Sequence, residues 1–163
     1  MSSSNPNKYD AIMDRLGYRY VQTDRLTFPD QTEIDACERS LGYPLPPDYK
    51  EFLRKYGVTG SEMGHWTIRR EDGTSIGGVD VFFGISPRST YDLQSEGRFF
   101  EEEDLPRYVL PIASSSGGSI VLSLAGEDCG SLYWWHVEEP FSKDTAEFLA
   151  ASFDAFMNQL VAD

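Results

Sequence analysis

The sequence predicts an α+β fold from two observations. Helical periodicity occupies the first third of the chain and its last dozen residues, while the stretch between them breaks into apolar runs punctuated by glycine. The links between the later runs are too short for parallel crossovers, which need a dozen or more residues, so those strands should be antiparallel neighbours. With 163 residues, 40% hydrophobic and 13% aromatic, the chain can bury a single core and is not a disordered acidic segment.

Residues 1–7 read as a flexible arm and 8–163 as one domain. Tyr9, Ile12, Met13 and Leu16 share a helical face that Gly17 stops, and a tyrosine-rich connection follows. Thr32, with Asp35 three residues on, reads as an N-cap, and Ile34, Cys37 and Leu41 line one side of the next helix up to Gly42. Cys37 therefore faces inward as a small hydrophobe. Pro47 suits the first turn of a third helix, Asp48 and Glu51 suit its positive end, and Tyr49, Phe52, Leu53 and Tyr56 form its stripe before Gly57. The two helices make a hairpin through a proline corner.

Beyond Gly60, His65–Glu71 and Val79–Ile85 read as strands, with Asp72-Gly73 and Gly77-Gly78 as turns. A helical stretch around Ser89–Glu96 and an acidic run at 101–104 precede three strands at 108–113, 119–124 and 131–137. At the C-terminus, Leu149, Phe153, Phe156 and Leu160 fit a helix starting near Asp144 or a shorter one capped by Ser152 and running to Val161.

Lys and Arg number 14 against 27 Asp and Glu, a net charge of −13. That surplus opposes extended contact with nucleic acid or anionic lipid, where Lys and Arg must replace counterions. It suits a basic protein partner, and it also serves solubility alone. The Ser- and Asn-rich start has no apolar signal core, and no run approaches the roughly 20 apolar residues of a membrane span, so a cytoplasmic location with Cys37 and Cys129 reduced is expected.

Three stretches together resemble the SUKH superfamily, the bacterial toxin-immunity proteins that also include the fungal regulator of cell-wall assembly and killer-toxin resistance. The first is Glu38, Leu41-Gly42, Leu45-Pro46, Asp48-Tyr49, Phe52-Leu53 and Tyr56-Gly57. The second runs from Leu110-Pro-Ile-Ala113 through Gly117-Gly118 and the apolar strand to Leu124, then Gly126 to Gly130 and the strand of Tyr133 and Trp135. The third is Ser152-Phe153, Phe156 and Leu160. Where many relatives carry Trp-Asp-His, this chain reads Trp135-His136-Val137. The resemblance covers roughly residues 30–161. It implies a twisted antiparallel sheet flanked by helices, a last helix starting near Ser152 after an extended 147–150, and a non-catalytic protein that neutralises a cognate toxin.

No constellation in the sequence carries chemistry. Cys129 and His136 lack a nucleophile context, and neighbouring carboxylates raise a thiol pKa. His65 and His136 with two isolated cysteines give no zinc spacing, the acidic runs lack the alternation of a calcium loop, and Gly73–Gly78 lacks the Lys and Ser/Thr of a phosphate loop. No enzyme activity, metal or cofactor is expected. The candidate partner-binding residues are Glu101, Glu102, Glu103, Asp104, Glu127, Asp128, Trp134, Glu138 and Glu139. Alternation places Leu132, Trp134 and His136 on one face of their strand and Tyr133, Trp135 and Val137 on the other, so one large aromatic is either covered by a helix or open to a partner. The partner is expected to be a basic toxin domain such as a nuclease, and the alternative is a regulatory interaction scaffold without a toxin.

Overall fold

The computed structural model describes residues 6–21, 28–86, 91–95 and 105–162. Helix α1 (Asp10–Leu16) buries Met13 and Leu16 and ends at Gly17, whose φ of 71° is the left-handed turn that favours glycine. Asn7, at the end of the expected arm, is already anchored: its side chain donates to the Glu51 carbonyl at 2.8 Å. The tyrosine-rich connection after α1 is strand β1 (Tyr18–Tyr20), paired with β2 (Thr59–Ser61).

Helix α2 (Gln31–Leu41) is capped by Asp30 rather than Thr32. Both residues have an acid three positions on, but the longer Glu33 reaches back to the Asp30 N–H at 3.2 Å while Asp30 accepts from the Glu33 N–H at 2.8 Å. Cys37 is buried as its place on the stripe requires, and burial pushes its thiol pKa up to about 12. Glu38 then stitches the proline corner, accepting from the Leu45 N–H at 2.6 Å and pairing with Lys50. Helix α3 (Pro47–Lys55) follows and buries Tyr49, Phe52 and Leu53 completely.

The strands β3 (Trp66–Arg69), β4 (Ser75–Val79), β5 (Val81–Phe82), β6 (Val109–Ser115), β7 (Gly118–Ser123), β8 (Leu132–His136), β9 (Glu147–Ala150) and β10 (Leu160–Ala162) complete two sheets. One has seven strands in the order β1-β2-β5-β6-β7-β8-β9, the other three in the order β10-β3-β4, and every strand pair in both is antiparallel. Only Asp80 separates β4 from β5, so the chain passes from the small sheet to the large one without a turn. Gly77-Gly78 accordingly lies inside β4, not in a turn. A Cβ at Gly78 would sit 2.5 Å from the Trp66 carbonyl oxygen, so the glycine serves close approach of two backbones.

In the segment expected to be helical near residue 90, residues 93–95 are helical; 87–90 and 96–100 lie outside the described residues. The buried carboxylate of Asp92 organises the visible part, accepting from the N–H groups of Ser86 and Ser95 and from the Ser95 hydroxyl.

Helix α4 (Phe153–Met157) starts where the Ser152 cap places it, with the Ser152 hydroxyl accepting from the Ala155 N–H at 3.0 Å. It does not run to Val161. The Asn158 side chain donates to the Asp154 carbonyl at 2.8 Å, and the chain then opens into β10, whose Leu160 pairs with Ile68. Leu160 is buried in the strand, and its spacing from Phe156 suits a helical stripe equally well.

The core has two parts. The main one fills the space between the sheets and helices with Tyr9, Tyr49, Phe52, Phe82, Phe153 and their neighbours, many meeting edge-to-face. A smaller cluster of Leu105, Val109, Val121, Tyr133 and Trp135 is separate from it, and β7 and β8 contribute to both.

Candidate partner-binding surface

Strand β8 feeds both clusters because its side chains alternate. Leu132 joins the main core and Trp134 packs half-buried at its margin, whereas Tyr133 and Trp135 belong to the second cluster. Trp134, one of the residues expected to bind a partner, is held within the molecule. Its indole N–H donates to the Ser115 hydroxyl at 3.0 Å, and its ring lies so close over Gly118 that a Cβ there would come within 2.6 Å. It also lies against Gly77 of the small sheet, so it acts as a wedge between β4 and the β6–β7 hairpin.

The large aromatic on the opposite face, Trp135, is buried, and among the described residues no helix covers it. The connection 137–146 folds across it as a strap. Phe141 meets the rings of Tyr133 at 6.2 Å and Trp135 at 6.4 Å, and the Trp135 indole N–H donates to the Glu139 carbonyl at 2.8 Å. Glu138 and Glu139, in this strap, are exposed.

Glu127 and Asp128 precede β8 and behave differently from each other. Glu127 is exposed, but Asp128 accepts from the Tyr133 hydroxyl at 2.6 Å, Lys143 at 2.6 Å and the Ser123 hydroxyl at 3.1 Å. Burial alone would raise the Asp128 pKa; the hydrogen bonds from Lys143, Tyr133 and Ser123 outweigh it and hold the carboxyl below its ordinary range. Tyr133 responds in the opposite direction, pushed up to about 12 by burial and by the Asp128 carboxylate. Asp128 is thus a clasp that fastens the strap, through Lys143, to the start of β8. Glu101, Glu102, Glu103 and Asp104 lie outside the described residues.

The same region contains a residue that sequence reasoning passed over. Phe148, in edge strand β9, is 53% exposed, and its ring meets Tyr133 edge-on at 5.8 Å. No sequence signal separates it from the buried Leu149 beside it, because the register of β9 against β8 shifts at this point. Two side chains from the small sheet's segments reach β9: Arg70 pairs with the Glu147 carboxylate at 2.8 Å, and Gln159 donates to the Leu149 carbonyl at 2.7 Å.

Cys129 and His136 do not meet as a nucleophile pair. Cys129 precedes β8 and His136 is its last residue, so the length of the strand, about 14 Å for its five residues, lies between them, and the Cys129 thiol donates to the Leu124 carbonyl at 3.3 Å. Among the described residues no group of three or more His, Cys, Asp or Glu is arranged to hold a metal ion, and no helix is long and apolar enough to cross a membrane.

A seven-stranded antiparallel sheet entered through a proline-cornered helix pair and closed by a Ser-capped last helix defines an α+β protein of the SUKH kind. The chain belongs to the SMI1 / KNR4 family (SUKH-1), whose model matches residues 29–159. It is similar to the SPbeta prophage-derived uncharacterized protein YokK of Bacillus subtilis (strain 168), with 28% identity over 147 residues covering 79% of this chain and 73% of that protein.

Proposed function

We propose that the chain is a non-catalytic, cytoplasmic immunity protein that binds and neutralises a basic toxin domain, a nuclease being the substrate-binding class that best matches its charge. The observation that carries this reading is the charge of the strap region: residues 127–147 hold six carboxylates and one lysine, and Asp128 already engages that lysine. Such a surface speeds encounter with a cationic partner and disfavours nucleic acid, lipid and acidic proteins. Membership of the SUKH-1 family supports a protein partner of this kind.

The test is co-expression with the toxin domain encoded beside this chain. The expected result is protection of the cell and a co-purifying complex; toxicity that persists, with no complex, rejects the proposal. A regulatory scaffold is the second reading, favoured by the fungal-type regulators for which the matching family is named. Genome neighbourhood separates the two, since a toxin gene next door supports immunity and its absence supports the scaffold. That a relative is prophage-derived weighs toward immunity, because a gene carried by a phage has little stake in assembling the host's wall.

A further inference from the structure

We propose that Phe148 is the apolar anchor of the partner interface, fitting a Lys- and Arg-rich protein surface that presents an apolar socket. The proposal rests on the binding-protein reading above and locates its interface at the outer edge of β9.

Three features converge on one side chain, Tyr133. Its ring carries Phe148 on one contact and Phe141 on another, and its hydroxyl is tied to Asp128, which in turn holds Lys143. Phe148 is therefore supported across the strand pair by a ring held by both Phe141 and its own hydroxyl. A half-exposed aromatic held in this way loses little conformational freedom on binding, which is what makes such residues effective anchors.

The surroundings select the partner's chemistry. Glu127, Glu138, Glu139 and Asp144 are all exposed on the two connections that flank β8, while Lys143 of the strap is engaged by Asp128 and Arg107 stands exposed beside Tyr108. An aromatic centre with an anionic rim has the anatomy of a specific interface and is complementary to a cationic one. One acceptor of the β9 backbone, the Leu149 carbonyl, is already taken by the Gln159 side chain, so recognition through the Phe148 side chain is favoured over simple strand addition. Among the described residues, the other large exposed apolar side chains lack this setting: Met63 stands on the β2–β3 turn and Phe28 beside β1, contacting Tyr20.

Surface plasmon resonance of F148A and F148L against the purified toxin domain encoded beside this chain tests the assignment. F148A should raise the dissociation rate about tenfold or more with little change in association rate, and F148L should recover most of the loss. Thermal unfolding of both variants serves as the folding control, because Phe148 is half exposed. If the wild-type complex forms and F148A leaves the dissociation rate unchanged, the anchor is overturned while the immunity reading stands. If the wild-type chain forms no complex, both are overturned. A dimer of the wild-type chain that F148A abolishes, with toxin dissociation unaltered, would give this face to a second copy and also overturn the proposal.

Discussion

At Asp128 a residue that looks from the sequence like one more exposed acid turns out to be a fastener. Its partners Tyr133 and Lys143 are 5 and 15 residues away, and no local pattern links them. Because the folded state holds the Asp128 carboxyl below its ordinary pKa, the unfolded chain takes up its proton first as pH falls. The stability it contributes is present above the unfolded pKa and is lost as pH falls through the lower folded one. D128N should therefore destabilise the protein at neutral pH by about 1–2 kcal/mol, toward the lower end because Lys143 is partly exposed and screened. Urea denaturation at several pH values checks this: the gap from wild type should narrow once the pH falls below the ordinary carboxylate range and go on shrinking as the folded carboxyl is protonated. A gap that stays constant with pH would mean that the ionised carboxylate is not what holds the strap.

At the scale of elements, what could be read in advance was what local chemistry decides. Pro47, Gly42 and the Phe52 stripe fix α3 and the end of α2 without reference to the rest of the chain. The Ser152 cap likewise marks the start of α4. The end of α4 was not legible, because Leu160 satisfies the helical stripe and the pairing with Ile68 equally well, and only the need of β3 for a neighbour decides between them. Gly77-Gly78 has the local look of a turn for the same reason: its glycines answer to Trp66 and Trp134, distant in sequence. The Ser152 hydroxyl supplies an acceptor for a helix only five residues long, whose Phe153 lies at the centre of the main core. S152A should cost about 1 kcal/mol, seen as a lower urea midpoint with unchanged m-value. S152D, which keeps an acceptor and adds a favourable charge at the N-terminus, should restore most of that loss.

Across the whole molecule, the net charge of −13 could be counted in advance, but where it acts could not. Glu138 and Glu139 owe their setting to the strap, and the strap's course depends on Phe141 and Lys143 finding β8 and Asp128. Two sources of attraction for a basic partner are thus separable: the global surplus of charge and the local acidic rim. Substituting E138K/E139K changes the total charge by the same amount as D14K/E62K, where Asp14 is exposed on α1 and Glu62 follows β2, four strands and about 19 Å from β8 across the large sheet. The association rate with the toxin domain should fall about tenfold for the wild-type chain between low and high salt, as expected for steering by exposed charge. E138K/E139K should start well below wild type at low salt and show a flatter salt dependence, whereas D14K/E62K should lie close to wild type throughout. Stopped-flow measurements across that salt range decide the matter, since equal losses for the two pairs would leave net charge alone as the source of attraction and remove the rim from the interface.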